Sequence, residues 1–182
     1  MQKLIARKPI RLKNYDYSEN GYYFITVCSK KRENIFAEIK NVVGAGLVSA
    51  RVNIGLTKIG SIIDTQWNNI FHQYNNVKLD QYIIMPNHIH GIIIINKNNV
   101  NERADTRPAP TTSDVICSFK SKCTMAYLNY LKQNNTYIPL TIWQRSFYDH
   151  IIRDDRTLNK MREYIENNPE NWENDVDNLI NL

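Results

Sequence analysis

The sequence predicts an α+β fold of the ferredoxin-like kind, β-α-β-β-α-β, forming an antiparallel sheet with one further helix toward the C-terminus. Three observations predict it. Short aromatic and β-branched runs recur at residues 22–29, 77–85 and 88–96, each next to turn-forming residues. Longer stretches between and after them, 56–74 and 114–133, place apolar residues at helical spacing. A last helical pattern follows a fourth strand-like run and stops at Asn168-Pro169, because proline disfavours helical backbone in the residue before it.

Each element has its own warrant. Residues 22–29 (YYFITVCS) follow Asn20-Gly21 and read as a strand. In 56–74, Leu56, Ile59, Ile62, Ile63, Trp67, Ile70 and Phe71 form a helical stripe. The run 77–85 reads as a second strand, and Met85-Pro86-Asn87 has turn chemistry, since proline presets φ and asparagine tolerates positive φ. Residues 88–96 then return antiparallel to it. Both runs are nearly continuous in apolar residues, which predicts central strands covered on both faces. In 114–133, Val115, Phe119, Met125, Leu128 and Leu131 share a side. The run 142–153 (IWQRSFYDHIIR) reads as the fourth strand, and Asp154 or Asp155 caps a helix through Asn167.

Two stretches look foreign to this plan: 41–55 and 97–112, both bearing glycine, proline or asparagine and both expected to be inserted loops of one domain spanning 1–182. Back-translation connects them. RADTRPAP (103–110) can be encoded by a string whose reverse complement, read one base on, encodes GAGLVSA and the start of an arginine codon, matching 44–51. The expectation is an inverted DNA repeat within the gene, and complementary codons in the two blocks are its test.

Composition narrows the function. The 182 residues suffice for a core without staples. The longest apolar runs, 82–85 and 91–95, are far too short to cross a bilayer, and the first residues (MQKLIARKPIRLKNYD) lack an apolar stretch of signal-peptide length, so no membrane association and a cytoplasmic location are expected. Cys28, Cys117 and Cys123 are odd in number and have no C-x-x-C spacing, which points away from disulfides and zinc. Net charge is +5, but residues 163–182 hold six acids and no Lys or Arg, leaving 23 basic against 12 acidic side chains elsewhere. So basic a body suits a polyanion, because each neutralised phosphate releases condensed counterions.

Two constellations carry chemistry. His88-Ile89-His90 lies on the third strand, where residues two apart share a face, so both imidazoles can reach one metal ion, with Gly91 leaving room beside them. Taken alone, H-x-H also describes solvated or core-satisfied histidines. On the last helix, Tyr164 and Asn168 are four apart and share a face, with Leu158, Met161 and Ile165 as the packing stripe. Spacing alone equally suits a tyrosine at a core edge and a helix-ending asparagine.

The run IIMPNHIHGIII, then WQRSFYDHIIRDD, then MREYIENNPENW, in that order, resembles the REP-associated tyrosine transposases, relatives of the single-strand insertion-sequence transposases among the nucleases named for a His-hydrophobic-His motif. The blocks span most of the chain between Tyr22 and Trp172. The resemblance implies a metal-binding pair at His88 and His90, a nucleophile at Tyr164, and a third ligand at Asn168, where the wider family often carries the longer glutamine. It implies cleavage and rejoining of single-stranded or hairpin DNA from palindromic repeats, through a 5′-phosphotyrosine and a free 3′-OH. It leaves monomer and helix-exchanging homodimer both open.

The chemistry agrees with this assignment. Two imidazoles and an amide oxygen suit Mg²⁺ or Mn²⁺, the imidazoles favouring Mn²⁺, and leave positions open for phosphate oxygens. A phenol with pKa near ~10 needs a cation or neighbour to stabilise its phenolate. Candidate DNA contacts are Lys120, Lys122, Arg145 and Arg153 for phosphates and Trp143 for base stacking, with Tyr148 and His150 sharing a strand face. Competing readings are a non-catalytic module of the same fold that grips structured DNA or RNA, and a metal nuclease that uses water, with Tyr164 structural.

Overall fold

In the computed structural model, residues 12, 15–42, 51–96, 110–136, 141–175 and 178 are described. Their elements run β1 (Gly21–Cys28), β2 (Ala37–Val42), β3 (Arg51–Leu56), α1 (Lys58–Asn68), α2 (Ile70–Gln73), β4 (Val77–Ile84), β5 (His88–Ile95), α3 (Thr112–Gln133), β6 (Tyr148–Ile152) and α4 (Asp155–Asn167). Single turns of 3-10 helix lie at Lys30–Arg32 and Trp172–Asn174. The main sheet has the order β4-β5-β1-β6, antiparallel throughout, which is the ferredoxin-like arrangement expected.

Alternation along the strands divides the side chains between two layers. Tyr23, Ile25 and Val27 of β1 and Ile89, Ile93 and Ile95 of β5 face the principal core, where Ile59, Ile63 and Trp67 of α1 and Val115, Ile116, Phe119 and Cys123 of α3 cover them. Phe24 and Ile92 face the other way and pack with Ile152, Leu158 and Ile165 under α4. Gly91 serves the core layer: a Cβ there would lie 2.3 Å from Trp67 Cζ2, so the missing side chain admits the indole. The room beside the histidine pair expected from Gly91 is therefore on the opposite face, and is already filled.

Helix ends follow local chemistry. Thr57 caps α1 by accepting from Gly60 N, and Asp154 caps α4 by accepting from Thr157 N at 2.7 Å. The reciprocal box between Thr111 and Asp114 starts α3 two residues before the expected Asp114. On that helix Met125, expected in the packed stripe, is 56% exposed.

Four further expectations are corrected. The single helix 56–74 breaks at Asn69 into α1 and α2, and Leu56 belongs to β3. Of the expected loop 41–55, residues 41–42 belong to β2 and 51–55 to β3, which pair from Ala37↔Leu56 to Val42↔Arg51; the alternation Val52, Ile54, Leu56 carried that signal. Residues 43–50 and 97–109, and with them most of the two blocks 44–51 and 103–110 expected to be encoded by the inverted repeat, lie outside the described residues. β4 is an edge strand rather than a central one, with Lys78 and Gln81 exposed and a register shift between Leu79 and Tyr82. The fourth strand covers only Tyr148–Ile152; upstream, Trp143 makes an isolated bridge to Ser29, while Lys120 Nζ donates to Gln144 O at 2.9 Å and Ser146 O at 3.1 Å, holding this stretch away from the ladder.

Candidate metal and nucleophile site

His88 and His90 project from β5 into the layer between the sheet and α4, at 0% and 2% exposure. Their rings lie 4.2 Å apart. Each is held through Nδ1: His88 by Asn87 Oδ1 at 2.8 Å, and His90 by Thr26 Oγ1 at 2.9 Å, directly across the β1–β5 ladder. Such contacts orient an imidazole and leave Nε2 for a ligand. His90 also stacks on Phe24, with centroids 5.2 Å apart. Burial lowers both pKa values, His88 to about 3, with Arg32 adding to the fall at His88 and His88 itself adding to it at His90. At neutral pH both rings are uncharged and keep a lone pair.

α4 brings the next groups. Its apolar stripe, Leu158, Met161 and Ile165, seats it against Phe24, Ile92 and Ile152 as expected from spacing. Tyr164 sits at the edge of that stripe, 41% exposed, with its hydroxyl 3.3 Å from His90 Nε2. Asn168 closes the helix and is buried. The chain then turns at Pro169, lays Trp172 over His88 with ring centroids 6.0 Å apart, and delivers Asp175, whose Oδ2 accepts from Asn168 Nδ2 at 2.9 Å.

This donor set fits a metal ion. Ligand atoms of His88, His90 and Asp175 all lie within 4.8 Å of one another and are buried. His88 Nε2 and Asn168 Oδ1 are buried without a hydrogen-bond partner, an expensive state that a cation would relieve. Tyr164 is not activated by the protein alone: burial raises its pKa first, the Asp175 charge raises it further, and only the Asn168 contact opposes them. A cation among these groups would reverse the sign of the local field.

A groove of about 560 Å³ opens from this cluster and is lined by His90, Tyr164, Arg32, Phe147, Tyr148 and His150, among others. Of the DNA-contact candidates, the structure thus brings Tyr148 and His150 into one groove with Tyr164. Arg145, Arg153 and Lys122 are exposed elsewhere. Lys120 is committed to the Gln144 and Ser146 carbonyls. Trp143 is a correction: only 9% exposed, it packs between Phe36 and Phe119 and donates Nε1 to Lys120 O, so it offers no face to a base.

Three residues of the cluster escaped the sequence reading. Thr26 was legible as the residue alternating onto the face of Phe24, but its partner depends on register. Asp175 stood among six acids of an acidic segment, with no motif to single it out. Arg32 lies in a basic run, Lys30-Lys31-Arg32, that only the turn carries to the groove.

No family model matches the chain. It is 36% identical over 176 residues to an uncharacterized protein of Haemophilus influenzae, covering 93% of this chain and 91% of that one, and belongs to one family with it. A second Haemophilus influenzae protein, provisionally assigned as a REP-associated tyrosine transposase, is 31% identical over 86 residues, 47% of this chain and 46% of its own length. Among solved structures, a REP-associated tyrosine transposase bound to a REP hairpin shares the fold over 89% of this chain and 74% of its own, with a TM-score of 0.57 at 16% identity. The chain is thus similar in sequence, along about half its length, to a protein provisionally assigned as a REP-associated tyrosine transposase, and shares the fold of a solved one along nine-tenths of its length.

Proposed function

We propose that this protein is a metal-dependent tyrosine transposase that cuts and rejoins single-stranded or hairpin DNA. The observation that carries the reading is the meeting of Tyr164 and His90 at 3.3 Å, beside buried donors that suit a cation and at the head of an open groove. His88, His90 and Asp175 would hold Mg²⁺ or Mn²⁺, with the Asn168 carbonyl oxygen available as a further ligand. When bound, such an ion offsets the Asp175 charge and stabilises negative charge on a phosphate and a phenolate.

The chain's own residues do the rest. Tyr164 Oη attacks the phosphorus of a phosphodiester, the bond to the 3′-oxygen breaks, and the strand is left as a 5′-phosphotyrosine and a free 3′-OH. One phosphoester replaces another, so rejoining by a 3′-OH needs no nucleotide cofactor. Tyr148 and His150 line the approach for the strand. Tyr164 meets His90 within one chain, and Arg162 of α4 binds Asp80 of β4 at 2.6 Å, which supports a site assembled within one chain.

The test uses labelled hairpin oligonucleotides from repeats flanking the gene, incubated with Mn²⁺ or Mg²⁺, and looks for an SDS-resistant protein–DNA adduct. The expected result is a metal-dependent adduct that is absent from Tyr164→Phe. The raised phenol pKa favours one second reading, a metal nuclease that uses water. Cleavage without an adduct would establish that reading, and tight binding without cleavage would establish a structured-DNA binding module.

A further inference from the structure

Asn87 is fully buried in the connection between β4 and β5, and both ends of its amide are committed. Its Nδ2 donates to Arg32 O at 3.1 Å. Oδ1 therefore faces His88 Nδ1 at 2.8 Å, and because an amide oxygen only accepts, that ring nitrogen carries the proton. His88 Nε2 is left as the lone-pair nitrogen in the buried cluster. On its other side, Asn87 fixes an unusual turn. Lys31 and Arg32 both have positive φ, 55° and 56°, a region that costs non-glycine residues energy and persists where surroundings enforce it. Arg32 N donates to Ser29 O at 3.2 Å, Ser29 Oγ donates to Glu33 O at 2.8 Å, and Ser29 N donates to Asn87 O at 2.8 Å. This turn carries the Arg32 side chain to the wall of the groove shared with His90 and Tyr164, where it is the one Lys or Arg among the described lining residues.

We propose that Arg32 holds the phosphodiester in front of Tyr164, and that Asn87 is the positioning residue that sets the Arg32 turn and the His88 tautomer together. A guanidinium presents paired N–H donors in the geometry of two phosphate oxygens, which a lysine does not. The exposed Lys30 and Lys31 of the same turn extend the positive surface away from the groove. This assignment rests on the phosphotyrosine reading above.

Binding is measured in a Tyr164→Phe background, by fluorescence anisotropy of a labelled single-stranded hairpin oligonucleotide from the flanking repeats, across a salt series with Mn²⁺ present. Arg32→Gln is expected to weaken binding about tenfold and to make the slope of log affinity against log salt shallower by about one. Mn²⁺ affinity, read by calorimetry, stays unchanged, and Arg32→Lys restores the slope but not the full affinity. Asn87→Ala is expected to weaken both DNA and Mn²⁺ binding. In the metal-free protein it also replaces the single Nδ1–H tautomer of His88, seen by imidazole ¹H–¹⁵N NMR, with a mixture. Unchanged affinity and slope in Arg32→Gln would overturn the Arg32 assignment. An unchanged tautomer and Mn²⁺ affinity in Asn87→Ala would overturn that of Asn87; should this variant not fold, Asn87→Ser is read the same way. Failure of the Tyr164→Phe parent to bind the oligonucleotide would instead remove the DNA reading, and this assignment with it.

Discussion

Ile89 and His90 are neighbours on β5 and face opposite layers. Ile89 meets a core built from both long helices, in which isoleucines, Trp67 and Phe119 fill the space. His90 meets a thinner layer under α4, where a small apolar cluster of Phe24, Ile92, Ile152, Leu158 and Ile165 seats the helix and the remaining volume is given to polar groups. One face is closed by dispersion and burial. The other holds two uncharged imidazoles, a carboxylate and orphaned polar atoms, and opens into a groove. The contrast teaches that one face supplies stability so that the other can keep an arrangement that is costly in the absence of a cation.

Substitutions on either side of one strand give the sharpest way to break this division. His90→Gln should reduce the rate of adduct formation at least about a hundredfold, since it removes a proposed metal ligand and the Tyr164 partner. Its stability should fall by less than about 1.5 kcal/mol, because glutamine keeps hydrogen-bonding atoms. Ile89→Ala should do the reverse, losing about 2–5 kcal/mol in urea denaturation while the folded protein still binds Mn²⁺. Equal stability losses in the two would erase the distinction between the faces.

pH separates the faces without mutation. In the metal-free protein His88 titrates near 3 rather than at the ordinary 6.5, and His90 is depressed as well. The unfolded chain therefore binds protons that the folded chain refuses. Their neutral state costs nothing above pH 6.5, and stability falls as pH drops from there toward 3. Denaturation midpoints at pH 7 and pH 5 measure this, and His88→Gln/His90→Gln should flatten the dependence.

Smaller effects probe how each layer is fitted. Gly91→Ala should cost about 1–3 kcal/mol by driving a methyl against Trp67, with Mn²⁺ affinity retained. Mn²⁺ titration of the folded variant checks that the histidine layer is undisturbed. Arg162→Ala removes the partly exposed pair with Asp80 and should lower stability by no more than about 1 kcal/mol, read as a small shift in Tm. A much larger loss would mean that α4 depends on this pair more than on its apolar stripe.

The legibility of the site followed the same physics. Pairs set by local periodicity were readable: His88 with His90 from the strand repeat of two, and Tyr164 with Asn168 from the helical turn. The strand-helix order and the stripe of Leu158, Met161 and Ile165 were readable for the same reason. Trp143 misled, because an aromatic residue beside arginines reads alike whether it faces solvent or packs against Phe36 and Phe119. The extent of the fourth strand also misled, because Lys120 on a distant helix holds the Gln144 and Ser146 carbonyls.

By itself, the sequence determined the ferredoxin-like order of elements, the histidine pair and the helix that carries Tyr164, because each depends on residues a few positions apart. Tertiary structure alone decided that β4 lies at the sheet edge, that Gly91 makes room for Trp67, and that Thr26, Arg32 and Asp175 converge on Asn87 and the histidines. Those contacts join positions far apart in the chain, through ladder register, a left-handed turn and the reversal after Pro169, and no local pattern encodes which distant groups such features bring together.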